Sequence, residues 1–190
     1  MTARTDIPSA AAPGELPAWL ILAGGVTLLL ARSALTDGSA APVLLAACYV
    51  AIGAAALSVR EMASPPAALG RLTVLLVGLV AIALVAWVVG PWPPLRLGWM
   101  GAPVGVLAAV AEEALFRRLA YARLLRYGAG VAIIGTAVAF ALLHVPFYGV
   151  EALPIDLGAG LLLSWQRWAS GTWTVPAATH AAAELLAVLR

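Results

Sequence analysis

Apolar residues run along this chain in blocks of about 17–25 positions, the length a helix needs to cross the hydrocarbon core of a bilayer. The blocks fall at Pro17–Ala34, Pro42–Val59, Leu72–Val89, Gly98–Arg123, Gly130–Tyr148, Pro154–Trp168 and Trp173–Leu189. Between them stand residues that make poor helix interiors and good connectors: Asp37-Gly38-Ser39, Pro65-Pro66, Pro91-Trp92-Pro93-Pro94 and Gly128-Ala129-Gly130. The pattern predicts an all-α, polytopic membrane protein of about seven transmembrane helices. Residues 1–16, polar and rich in Ala and Pro, read as a disordered tail, leaving 17–190 as a single helical transmembrane domain.

Composition agrees with the pattern. The chain is 63% hydrophobic and 11% charged over 190 residues, against about 45–50% apolar and about 25% charged in a soluble domain. All 11 basic residues are arginine, and the net charge of +2 is too small and too dispersed to argue for nucleic acid. The lone cysteine, Cys48, excludes an internal disulfide and reads as a small packing residue.

The arginines serve better as topology markers. With the N-terminus in the cytoplasm, the cytoplasmic loops hold Arg60 and Arg71, then Arg118, Arg123 and Arg126, then Arg167, while the outer side holds Arg32, Arg96 and Arg190. That is the orientation the positive-inside rule favours. The fourth block would be about 38 Å long if helical throughout, so its arginine-rich end should reach the cytoplasmic interface. Trp19, Trp92, Trp99, Trp168 and Trp173 sit near block ends, as interfacial belts require. No internal repeat suggests a duplicated transporter.

Against this background two adjacent acids, Glu112 and Glu113, are anomalous. An intramembrane charge costs on the order of 3 kcal/mol on insertion scales and marks a functional-site hypothesis by default. On an α-helix Glu113 and Arg117 share a face and can pair, whereas Glu112 points about 100° away. This division makes Glu113 a structural carboxylate and leaves Glu112 free to act as a base; the plain alternative is that both acids pair with arginines and pack helices. His144 follows Phe140 by one turn, and His180 precedes Glu184 by one turn. Two histidines and one or more glutamates on separate spans can activate a water in either of two ways. One is a carboxylate base assisted by imidazole; the other is a metal site of two histidines and a carboxylate. Elsewhere, Asp156 reads as an interfacial N-cap, Gly158 and Gly160 as positions of close helix packing, and Arg167 as a loop charge.

Glu112-Glu113-x-x-x-Arg117, Phe140-x-x-x-His144, and His180-x-x-x-Glu184 preceded by Gly-Thr-Trp-Thr-Val-Pro together resemble the CPBP family of intramembrane proteases. That family includes CAAX prenyl endopeptidases of the Rce1 type and bacterial Abi immunity-type proteins. The resemblance covers about residues 98–190, the motif-bearing core. It implies that Glu112 activates water beside Glu113 and Arg117, that His144 assists, and that His180 helps stabilise the oxyanion. Glu184 departs from the asparagine or aspartate usual in the family. An asparagine amide can donate to an oxyanion, whereas an ionised glutamate only accepts.

The expectation is an intramembrane endopeptidase of a bacterial plasma membrane, acting on a membrane-anchored peptide or protein in a cavity of the C-terminal half. Metal dependence stays open. A zinc ion would take Glu112, His144 and His180 as ligands; without one, glutamate and histidine act as a dyad. The alternative is a catalytically inactive membrane adaptor or immunity protein of the same fold, suggested by Glu184.

Overall fold

The computed structural model describes residues 15–36, 38–62, 67–90 and 98–188. The expected tail up to residue 14, Asp37, the Pro65-Pro66 and Pro91 to Pro94 connectors with Trp92, Arg96 and Arg190 lie outside the described residues.

Every long element is a helix: α1 (Glu15–Ala31), α2 (Ala41–Ser58), α3 (Arg71–Val89), α4 (Gly101–Glu113), α5 (Tyr121–Leu124), α6 (Ala129–Tyr148), α7 (Leu153–Ser170) and α8 (Thr174–Val188). No strand occurs among the described residues. Four helical stretches, Glu15–Leu35, Ala41–Ser58, Arg71–Val89 and Ala129–Tyr148, are long and apolar enough to cross a membrane. With no water in hydrocarbon to satisfy exposed backbone groups, helices that bond internally are the form such a chain must take.

The fourth block departs from a plain α-helix. Between α4 and α5, Ala114–Ala120 forms a π-helix directly after the two glutamates. Such widened turns recur at functional sites, where they re-aim side chains.

This α4–π–α5 rod is the axis of the molecule. It packs between α2 and α8, while α6 lies along α7 and α3 leans on α7 and α8. The main core joins Leu22 and Leu29 of α1, Leu45, Tyr49 and Ile52 of α2, Leu115, Phe116 and Leu119 of the π stretch, and Phe140 and Leu143 of α6. Small residues set the closest approach of α6 and α7. A Cβ on Gly160 would stand 2.9 Å from the Ala137 Cα and its carbonyl oxygen, so only glycine fits there. Gly158 faces open space instead and needs no such account. At the end of α7, Gly171 takes a left-handed conformation (φ +69°) and reverses the chain into α8.

Arginines lace one end of the bundle together. Arg118 donates to the backbone oxygens of Ala56 and Val59, satisfying the orphan carbonyls that end α2. Arg167, expected in a loop, lies inside α7 and is 2% exposed. Its Nε donates to the Arg117 carbonyl at 3.0 Å, and it shares Glu61 with Arg118 at 3.7 and 3.8 Å. Trp19, Trp99 and Trp168 are exposed near helix ends.

Candidate active site

Five helical segments bring the polar residues together. Glu112 and Glu113 end α4, Arg117 lies on the π stretch, His144 is on α6, and His180 and Glu184 are on α8. Arg32 comes from the single 3-10 turn, Arg32–Leu35, that extends α1.

Glu113 is fully buried and its Oε1 is the acceptor at the centre of one cluster. Arg117 Nη1 donates to it at 3.0 Å, as the sequence spacing predicted, and His180 Nδ1 reaches it at 3.1 Å. Arg117 also donates from Nη2 to the Gly160 carbonyl at 3.2 Å, tying the rod to α7. Glu113 is therefore more than a helix-packing acid: it orients His180. A carboxylate can only accept, so His180 Nδ1 carries a proton and Nε2 is left facing Glu184, 3.9 Å away.

Glu112 corrects the expectation that it stands free. Arg32 donates to Glu112 Oε1 in a buried ion pair. The same guanidinium donates to the Tyr49 hydroxyl at 3.3 Å and lies 4.3 Å from the centre of the Phe147 ring. Arg32 is thus a buried partner of the site and no outer-loop charge. The second oxygen, Oε2, faces His144 Nε2 across 3.7 Å. His144 Nδ1 donates to the Phe140 carbonyl at 2.8 Å, which makes Nε2 of the neutral ring an acceptor.

Phe140 holds the imidazoles in place. Its ring centre lies 4.4 Å from that of His144 and 5.6 Å from that of His180, with the Arg117 guanidinium 4.7 Å away on the other contact. Stacking of Tyr148 on His144 completes the column.

A cavity of about 640 Å³ opens beside these rings. His144, His180, Glu184, Asp156 and Tyr148 line it, with an apolar wall from Ile82, Val85 and Val89 of α3 and Leu162 of α7. Glu112 and Glu113 lie behind the imidazoles. Gly105 of α4 makes room for Glu184, since a Cβ there would stand 2.9 Å from Glu184 Oε2. Asp156 does not cap α7, whose N-cap is Ala152 without a side-chain bond. Its carboxyl instead enters the cavity, and Oδ2 is buried with no hydrogen-bond partner.

The proposed zinc ligands do not form one sphere. Glu112 and His144 face each other, whereas His180 is engaged by Glu113 and faces Glu184. Among the described residues no group of three or more His, Cys, Asp or Glu is arranged to hold a metal ion. His144 Nδ1 and His180 Nδ1 are engaged by the Phe140 carbonyl and Glu113, and each Nε2 faces a carboxylate without bonding to it, Glu112 Oε2 at 3.7 Å and Glu184 Oε1 at 3.9 Å.

Sequence reasoning missed Arg32, Tyr49 and Phe147, which lie outside every motif, and misread Asp156. The available signal was the position of Arg32 at the end of an apolar block, where an intramembrane charge needs a partner.

Comparison with curated proteins and with solved structures returns no match. A family model described as Rce1-like, type II CAAX prenyl endopeptidase, matches residues 92–186. The matched stretch runs from before α4 to within α8 and contains both glutamates, Arg117, both histidines and Glu184. With four membrane-length apolar helices and a family match over half of its length, this chain is an integral membrane protein that belongs to the Rce1-like family of proteases.

Proposed function

We propose that the chain is an intramembrane endopeptidase that hydrolyses a peptide bond of a membrane-associated substrate, in a bundle of seven membrane-embedded helical segments. The observation that carries the reading is the 3.7 Å gap between Glu112 Oε2 and His144 Nε2 beside the cavity. Separations of this kind are the ones a bridging water fills. Such a water would give its protons to two acceptors, Glu112 Oε2 and His144 Nε2, and turn its lone pairs toward the cavity.

As the water attacks the scissile carbonyl carbon, Glu112 takes its proton and His144 keeps it aligned. The carbonyl oxygen becomes the oxyanion. His180, with Nδ1–H held by Glu113, presents Nε2 to that oxygen and in its charged form donates a hydrogen bond to it. The tetrahedral carbon then expels the amine as the C–N bond breaks, and Glu112 returns its proton to that nitrogen. Arg32 is a positioning residue, pinning one oxygen of Glu112 so that the other faces His144.

The second reading, an inactive adaptor or immunity protein of the same fold, draws on two observations. Glu112 is neutralised by Arg32, and an acid occupies position 184, where a donor would serve better. Cleavage of a membrane-anchored reporter peptide by the purified protein distinguishes the two. Turnover lost in Glu112→Gln and in His144→Ala supports the enzyme. Full activity in Glu112→Gln removes Glu112 as base, and a cellular phenotype that survives both substitutions favours the adaptor.

A further inference from the structure

Asp156 lines the cavity but has no task in the chemistry of Glu112, His144 and His180. It stands in the first turn of α7, where its carboxyl could have bonded the free N–H groups of its own helix. It does not, and Oδ2 is buried without a partner. An acceptor hidden from water and left unbonded costs free energy. Among the described residues nothing supplies the missing donor.

The contact between α6 and α7 sets where this carboxyl stands. Gly160 meets Ala137 at backbone distance, and Thr136 and Ser164 share a hydrogen bond of 2.9 Å one turn further along α7. On the outer side Leu153 and Leu157 border Ala141 and Leu142, so the two helices run antiparallel. One turn back along α7 from Gly160 and one turn on along α6 from Ala137 bring Asp156 opposite Ala141, level with Phe140 and His144. There the carboxyl is within electrostatic reach of His144, Glu112 and His180. Arg117 holds the same part of α7 through the Gly160 carbonyl. Backbone packing fixes Asp156 in place, with no bond of its own Oδ2 involved.

A peptide entering this cavity leaves water and brings backbone N–H groups that need acceptors. The walls cannot pair with it as a strand edge does, because helices spend their carbonyls on N–H groups one turn later. The other polar side chains of the lining are engaged. Thr179 accepts from Gln166 at 2.9 Å, Tyr148 stacks on His144, and Glu184 faces His180. We infer that Asp156 contacts the substrate, its carboxyl accepting a hydrogen bond from a backbone N–H that flanks the scissile bond and so holding the peptide against the imidazoles. A carboxyl oxygen can accept in either protonation state. This role rests on the endopeptidase reading.

The test uses the full chain in proteoliposomes with a lipid-anchored reporter peptide. Copies of the peptide replace one backbone N–H at a time, outside the scissile bond, by an ester oxygen. A hydrogen bond to a charged group contributes about 10- to 100-fold, so one of these esters should lower kcat/KM of the parent by about tenfold or more. Asp156→Ala should show that loss with the unmodified peptide, mainly in KM, and lose nothing more with that ester. Asp156→Asn keeps an acceptor oxygen and should keep the sensitivity to the same ester. Because Oδ2 bonds to nothing in the protein, Asp156→Ala should unfold in detergent at no lower temperature than the parent. An ester penalty equal in the parent and Asp156→Ala, or a lowered unfolding temperature, overturns the assignment. If the parent cleaves no reporter, the endopeptidase reading falls and this inference with it. If the parent cleaves and Asp156→Ala matches it on every peptide, this inference alone falls.

Discussion

Arg32 and Glu112 are separated by 80 positions in the chain and meet in a buried ion pair at the point where α1, α2, α4 and α6 converge. The pair fixes one carboxylate oxygen and leaves the other aimed at His144. A buried charge whose partner is removed costs about 3–5 kcal/mol. Arg32→Ala should therefore lower thermal stability by about that amount, and Arg32→Ala with Glu112→Gln should recover much of the loss. If the single and double variants unfold alike, the pair is not what holds this corner.

Positioning and stability make different kinetic predictions. If Arg32 holds Glu112 in register, Arg32→Ala should reduce kcat by about 100-fold with little change in KM, since a misplacement of about 1 Å costs that much. Arg32→Lys keeps the charge but loses the planar fork and should fall between the two. A variant with reduced stability, yet with kcat of the parent for its folded fraction, would assign Arg32 to the scaffold alone.

Why Arg32 escaped a reading of the sequence, while Glu113 and Arg117 did not, is a matter of range. The Glu113 to Arg117 pair is local, and its spacing survives even though the backbone beneath it is π rather than α. Helix positions and the Phe140 to His144 contact follow from hydropathy and periodicity in the same way. What Glu112 pairs with depends on how α1 packs against α4, which no local pattern encodes. Asp156 failed for a related reason. Its place near the start of α7 suited a cap, but the cavity beside it lies between helices far apart in sequence. Arg167 likewise looked like a loop charge because its acceptors, the Arg117 carbonyl and Glu61, come from other segments.

Glu184 provides a test of the oxyanion. Its Oε1 is 3.9 Å from His180 Nε2, so it competes for the donor that the developing oxyanion needs. Glu184→Gln keeps the shape and adds an amide donor. One oxyanion donor contributes about 100- to 1,000-fold in kcat in well-defined cases. The substitution should therefore raise turnover of the reporter peptide by about tenfold or more. A fall would show that the carboxylate itself takes part.

Two glycines should behave differently under the same change. At Gly160 a Cβ meets Ala137 backbone atoms at 2.9 Å, which no rotamer relieves, so Gly160→Ala should cost about 1–3 kcal/mol of stability. At Gly105 the obstacle is the Glu184 side chain, which can swing aside. Gly105→Ala should fold normally while altering cleavage. Equal destabilisation of both variants, measured by thermal unfolding in detergent, would contradict the packing account.

The remaining prediction concerns metal. A divalent cation bound by Glu112, His144 and His180 would have to draw together ligands that the fold does not gather around one point. His180 Nε2 faces Glu184, and turning it toward the gap between Glu112 Oε2 and His144 Nε2 would pull Nδ1 from the buried Glu113. His144 could offer only Nε2, because Nδ1 is held by the Phe140 carbonyl. Removing a partner from a buried charge costs several kcal/mol, which an ion would have to offset before supplying any chemistry. Cleavage of the reporter peptide should thus persist after exhaustive treatment with a chelator and disappear in Glu112→Ala. Activity lost on chelation and restored by zinc alone would mean that the site rearranges around a cation, with His180 turned away from Glu113 in the working state.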